Sequence, residues 1–118
     1  MRPPVRPSRS EVWNIRLDPV EGREQGRSRP ALILSHDTFN HGPAEMVVAI
    51  LLTTRYRPEF ERFRVAVKPT EGGLSAPSYA MPDQIRAIST RRLARRLGRV
   101  GAKTLARIED RVRVLLDL

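Results

Sequence analysis

Glu24, Gln25 and Arg29 fall within one short polar stretch, residues 22–29, which also carries Gly22 and Gly26. A carboxylate, a carboxamide and a guanidinium gathered at one place can accept a proton, read the edge of a base and hold a phosphate. RNA cleavage needs no metal and no covalent enzyme intermediate. The neighbouring 2′-hydroxyl attacks phosphorus, given a proton acceptor, a donor to the leaving 5′-oxygen and a cation to stabilise the extra phosphoryl charge. An unpaired cytosine-like or uracil-like base can be read by amide and carboxylate groups. On residue types alone, the stretch equally resembles an ordinary solvated loop, and both readings stand at this point.

Other chemistries find fewer residues to support them. His36 and His41 are the two histidines, spaced five apart in a polar stretch. That spacing lacks the helical i, i+4 relation of a ligand pair, so they read as exposed loop residues and no metal site is expected. The absence of cysteine excludes disulfides, thiol nucleophiles and Cys-based zinc sites. No glycine-rich phosphate loop precedes a helix and no Gly-x-Ser-x-Gly elbow occurs, so no cofactor is expected.

The elements that must position these groups follow from periodicity. The chain of 118 residues is expected to form one domain over residues 10–118, preceded by a Pro- and Arg-rich mobile tail over residues 1–9. Residues 12–17 alternate as a half-buried strand does, and Asp18-Pro19 ends them. Residues 31–34 form a short apolar strand entered through Pro30. The continuous apolar run 46–52 fits a strand buried on both faces. Residues 63–67, 78–81 and 84–88 are further strands. Ser89 can cap a short helix over residues 89–97, ended by Gly98. Leu105, Ile108, Val112 and Leu115 then recur at spacings of three, four and three, which makes one apolar stripe of a terminal helix packed on the core. The expected class is α+β, a small, strongly curved sheet or barrel with helices.

Charge narrows the partners. Lys+Arg number 22 against 13 Asp+Glu, a net charge of +9, mostly from Arg. Guanidinium offers a planar fork of donors suited to phosphate oxygens and stacks on bases, so a polyanionic partner is expected. An Arg-rich proteome would give the same excess. The longest apolar run falls far short of a membrane span and no apolar leader is visible, so a cytoplasmic protein is expected.

Several segments in order resemble the MazF/PemK/Kid family of toxins. Arg9-Ser10-Glu11-Val12-Trp13 and Leu17-Asp18-Pro19 are similar to the family's opening. Gly22-Arg23-Glu24-Gln25-Gly26-Arg27-Ser28-Arg29-Pro30 carries the pattern G-x-E-Q-G-x-x-R-P, followed by an apolar strand and Ser35. Asn40, the central strand ending at Thr53 and Thr54, Glu71-Gly72-Gly73-Leu74, Asp83-Gln84-Ile85-Arg86 and Arg96-Leu97-Gly98 follow in the family's order. Two departures stand out: the family usually has Gly-Asp where this chain has Ser10-Glu11, and often Pro where it has Leu51.

The resemblance implies an SH3-like small β-barrel (CcdB/Kid/MazF-like) with a C-terminal helix, acting as a homodimer. It implies metal-independent, sequence-selective cleavage of single-stranded mRNA that leaves a 5′-hydroxyl end, and an acidic antitoxin whose disordered tail covers the RNA groove. By position it makes Arg29 the principal catalytic cation and Thr53 its partner, with Glu24 a candidate for proton transfer. Gln25, Asn40, Gln84 and Arg86 become RNA-contact candidates; Arg86 is equally suited to a structural pair with Asp83. Two other readings compete. CcdB-like proteins of this fold bind and inhibit DNA gyrase, but they typically end in a Trp-containing tail, whereas this chain ends Leu115-Leu116-Asp117-Leu118. An inactive RNA-binding module is the third.

Overall fold

A computed structural model describes residues 5–17 and 28–118. Six strands, β1 (Glu11–Arg16), β2 (Ser28–Ile33), β3 (Met46–Thr53), β4 (Val65–Val67), β5 (Ser78–Ser89) and β6 (Leu93–Arg99), join in one antiparallel sheet. Their order is β4-β5-β3-β2-β1-β6, with β3 near the centre. A short helix α1 (Asp37–Asn40) lies between β2 and β3, and a long helix α2 (Ala102–Leu116) closes the chain.

Alternation sends each strand's side chains to two faces, and both are covered. On one face Val12, Leu32, Ile50, Leu52, Val65 and Val67 pack with Ile108 and Val112 of α2. On the other, Trp13, Ile15, Ala31, Ile33, Val47, Ala49 and Leu51 pack inside the curl of the sheet with Met81, Ile88 and Leu93. β3 contributes to both, as its unbroken apolar run predicts. Leu51 belongs to the inner cluster at 4% exposure, which accounts for an apolar residue at this position. The stripe on α2 is core: Ile108 is fully buried and Leu105 packs against the same cluster. Ile108→Ala is therefore expected to cost about 2–5 kcal/mol, read as a fall in the urea midpoint; an unchanged midpoint would return the stripe to a partner surface.

The curl has an identifiable cause. β3 pairs with β5 in two stretches of different register, Ile50 opposite Ile85 but Leu52 opposite Ala80. Leu51 thus faces Met81, Pro82, Asp83 and Gln84 together, an extended bulge that bends β5. Pro82, which has no N–H for a ladder, falls inside that irregular stretch. The two short strands expected over 78–81 and 84–88 are one bent strand.

Three expectations are corrected. Residues 89–97 form no α-helix: a 3₁₀ turn over Thr90–Arg92 leads into β6, which pairs with β1. Residues 5–9 are no free tail. Pro7 is buried, the Arg9 N–H donates to Asp37 Oδ1 at 2.7 Å, and the Arg9 guanidinium reaches the Leu34 carbonyl and Glu109. Finally, β2 begins at Ser28, so Arg29 is a strand residue paired with Ile15 and not a loop residue.

The departures at Ser10-Glu11 also find their place. Ser10 has φ 76, held by its N–H donating to Ile33 O at 2.8 Å and its carbonyl accepting from Val100 N at 3.0 Å. Left-handed backbone costs a non-glycine residue about 1–2 kcal/mol, which explains why glycine suits the position. Glu11 is 8% exposed and accepts from Ser8 N at 2.7 Å, Trp13 Nε1 at 3.1 Å and Arg96 Nε at 2.6 Å. Burial pushes its carboxyl up, but these donors outweigh burial and hold it below the usual carboxylate range. The acid ties β1 to β6.

Candidate active site

β2 and β3 pair Ala31 with Leu51, Leu32 with Ile50 and Ile33 with Ala49. Continuing that register by two residues sets Arg29 opposite Thr53. Directly opposed residues share a face, with Cα atoms roughly 5 Å apart. The two residues at which the resemblance puts catalysis thus fall on one face, just beyond the last β2–β3 pair, where β2 leaves the core: Arg29 is exposed and Thr53 half-buried.

Thr53 is oriented. Its Oγ1 accepts a hydrogen bond from Arg55 N at 3.2 Å. One acceptor site of the hydroxyl is thereby occupied, and its O–H remains able to donate to an incoming oxygen.

The same face carries further cations. Arg86 stands opposite Ala49 on β3 and so shares the face of Arg29 and Thr53. Gln84, two positions before it and within the bulge, is exposed. Arg86 lines a cleft of about 220 Å³ together with Ile15, Arg16, Ser89 and Arg92. Ile15 is the β1 neighbour of Arg29, so this electropositive cleft adjoins the Arg29–Thr53 pair. Arg92 is fixed there by donating from Nη1 to Leu17 O at 2.8 Å and Arg16 O at 3.3 Å. Nothing in the spacing of Arg16 marks it as a site residue, and Arg92 belongs to the family resemblance only as part of Arg92-Leu93, with no site role attached.

A pairing of Arg86 with Asp83 does not form. Asp83 is taken by Arg64, whose Nε and Nη2 donate to Oδ1 at 3.0 Å and Oδ2 at 2.7 Å. That fork, the first cause, outweighs burial and holds the Asp83 carboxyl below its usual range. Arg64 also lies 3.9 Å over the Phe60 ring. Among the described residues Arg86 has no carboxylate partner.

Asn40 does not join this site. It is 3% exposed at the end of α1, with Nδ2 donating to Ser35 O at 2.9 Å and Asp37 Oδ1 at 3.1 Å while its Oδ1 accepts from the Ser35 hydroxyl. Ser35 Oγ in turn accepts from Val48 N at 2.9 Å. Asn40 and Ser35 thus fasten the β2–β3 connection, and the Asn40 amide, bonded internally, is not presented at the surface for the base contact expected of it. Glu24 and Gln25 lie outside the described residues. Among the described residues, no three His, Asp or Glu side chains converge as a metal site would require.

Comparisons with known proteins agree with this architecture. The family profile described as "PemK-like, MazF-like toxin of type II toxin-antitoxin system" matches residues 8–116. The Mycobacterium tuberculosis protein named Endoribonuclease MazF9 is 34% identical over 113 residues, 93% of this chain and 96% of that protein. A mycobacterial endoribonuclease solved in complex with its cognate antitoxin superposes with a TM-score of 0.77 at 28% identity, covering 95% of this chain and 96% of that one. A MazE-MazF structure from Deinococcus radiodurans gives a TM-score of 0.79 at 28% identity, covering 97% and 98%. The end-to-end match of profile, relative and fold makes the chain a member of the PemK-like, MazF-like toxin family of type II toxin–antitoxin systems.

Proposed function

We propose that the chain is an endoribonuclease toxin that cleaves single-stranded mRNA at selected sequences without a metal ion. The observation that supports this is the β2–β3 register, which, continued two residues past its last pair, brings exposed Arg29 opposite Thr53. In the reaction the 2′-hydroxyl attacks the adjacent phosphorus and the 5′-oxygen leaves, giving a 5′-hydroxyl fragment. Arg29 stabilises the negative charge that builds on the phosphoryl oxygens. A guanidinium holds its proton too tightly (pKa above about 12) to serve as the base. Thr53 donates a hydrogen bond to a phosphoryl oxygen, and Glu24 is the candidate to move the proton. Gln25, Gln84 and Arg86 contact the flanking nucleotides, where unstacked base edges are open to amide and guanidinium groups.

The chain acts as a homodimer, and an acidic, disordered antitoxin segment restrains it by occupying the cationic cleft, as opposite charge and the net charge of +9 favour. The test is incubation of the pure protein with a long, unstructured RNA in EDTA, with fragment ends mapped. Discrete cuts bearing 5′-hydroxyl ends are expected, and their flanks give the recognition sequence. A folded sample that leaves varied RNAs intact would overturn the proposal; gyrase inhibition would then be the next assay.

A further inference from the structure

Tyr56 follows the end of β3 and is 54% exposed, yet its ring is not free in solvent: its centroid lies 5.5 Å from that of Tyr79, the planes inclined by 50°. The ladder explains where this pair stands. Thr53 is opposite Tyr79, and Tyr79 is opposite Ala66. With the β2–β3 register continued, Arg29, Thr53, Tyr79 and Ala66 make one rung across β2, β3, β5 and β4. Strand spacing puts Tyr79 roughly 10 Å from Arg29 along that rung, on the far side of Thr53.

The far side of the rung is open and charged. Ala66 is small and exposed, and the two tyrosines line a cavity of about 310 Å³ whose other walls include Arg57, Glu61 and Arg107. Beyond Arg64 and Arg107, a groove of about 400 Å³ continues between β4 and α2. The cations along it differ in freedom. Arg64 is committed to Asp83, and Arg111 to Asp110 and the Arg62 carbonyl. Arg57 approaches Glu59 only at 3.9 Å, and Arg107 has no carboxylate partner among the described residues. A half-exposed tyrosine ring backed by a second, half-buried one, beside loosely held arginines, suits a chain of alternating bases and phosphates better than it suits a protein core.

We propose that Tyr56 and Tyr79 form a stacking subsite for one base of the bound RNA, next to the nucleotide held between Arg29 and Thr53, with Arg57 and Arg107 contacting the neighbouring phosphates. The subsite rests on the ribonuclease reading and adds to it where a flanking base sits. Stacking accepts the π-face of any base. The Glu61 carboxylate in the same cavity accepts from an exocyclic amino group, so a base carrying one is favoured over uracil.

The test uses an oligonucleotide spanning a mapped cut site, made 2′-deoxy at the cleaved nucleotide so that it binds without being cut. 2-Aminopurine is placed at each flanking position in turn. Its fluorescence is expected to be quenched by stacking at one position with the parent protein and with Tyr56→Trp, but not with Tyr56→Ala or Tyr56→Leu. Tyr56→Ala is expected to weaken binding about 10- to 100-fold, the range of one aromatic–base stack. Tyr56→Leu keeps an apolar side chain against Tyr79 and so separates stacking from local packing. Unchanged affinity and quenching in both truncations, with the parent still cutting RNA, overturn the subsite alone. Failure of the parent to cut any RNA removes the ribonuclease reading and the subsite together.

Discussion

Arg29→Ala is expected to lower the rate of RNA cleavage by about 10²–10³, the usual consequence of removing one group aimed at developing transition-state charge. The fold should not notice. Arg29 is exposed at the start of β2, and its backbone pairing with Ile15 does not depend on its side chain. A surface substitution of this kind changes stability by about 0.5 kcal/mol at most. Arg29→Lys keeps the charge but not the planar fork, so intermediate activity is expected. Thr53 supplies an independent check on geometry: Thr53→Ser keeps the donating hydroxyl, whereas Thr53→Val keeps the shape without it. If both residues act on the same phosphoryl group, the Arg29→Ala, Thr53→Val double variant should be much less impaired than the product of the single effects. The rates are read by single-turnover cleavage of an RNA carrying the mapped site. Parent-like cleavage by Arg29→Ala would sink the assignment of the site.

The same two residues show what the sequence could and could not convey. β3 and α2 were legible because their patterns have no rival: an unbroken apolar run for the first, a stripe at helical spacing for the second. The stretch 89–97 is ambiguous in sequence because Leu93 and Leu97, four apart before Gly98, fit a helix and also fit a strand. Tertiary contacts decide. Arg96 is claimed by buried Glu11, and register shifts against β1 let Leu93 face the inner cluster while Leu97 packs on the outer one. Whether Arg29 and Thr53 stand opposite each other is a matter of register, which no local pattern encodes. Asn40 shows the converse case. A family position can be fixed for architecture, and here the amide closes the β2–β3 connection. Tyr56 and Tyr79 carry no joint signal in the sequence because they are far apart in the chain and meet only through the β3–β5 pairing.

The glycines of the Glu71-Gly72-Gly73 turn carry the largest structural prediction. Gly73 has φ 72, and a Cβ built there would lie 1.9 Å from the Leu97 carbonyl oxygen. Across the contact, a Cβ on Gly98 would lie 2.6 Å from Gly73 N and 2.7 Å from Gly72 C. Backbone meets backbone here, so no flexible side chain can swing aside. The contact also holds the turn that presents Glu71, whose carboxylate accepts from Gly101 N at 2.8 Å and Thr104 Oγ1 at 2.9 Å at the start of α2. Helix α2 has no side-chain cap of its own at Gly101, so this acid satisfies part of its open N-terminus from across the fold. Gly73→Ala must therefore strain a left-handed backbone, part β6 from the turn and loosen the capping of α2. Left-handed strain alone costs about 1–2 kcal/mol; with the displaced contacts, a large share of a total stability of about 5–15 kcal/mol is expected to go. Gly98→Ala should act on the same contact, so the double variant should lose less than the sum of the two. Gly101→Ala is the control, since its Cβ would meet only the far end of the Glu71 side chain, at 3.4 Å. Urea unfolding monitored by Trp13 fluorescence reads all four: if Gly73→Ala unfolds within about 0.5 kcal/mol of the parent, the turn does not approach β6 this closely in solution.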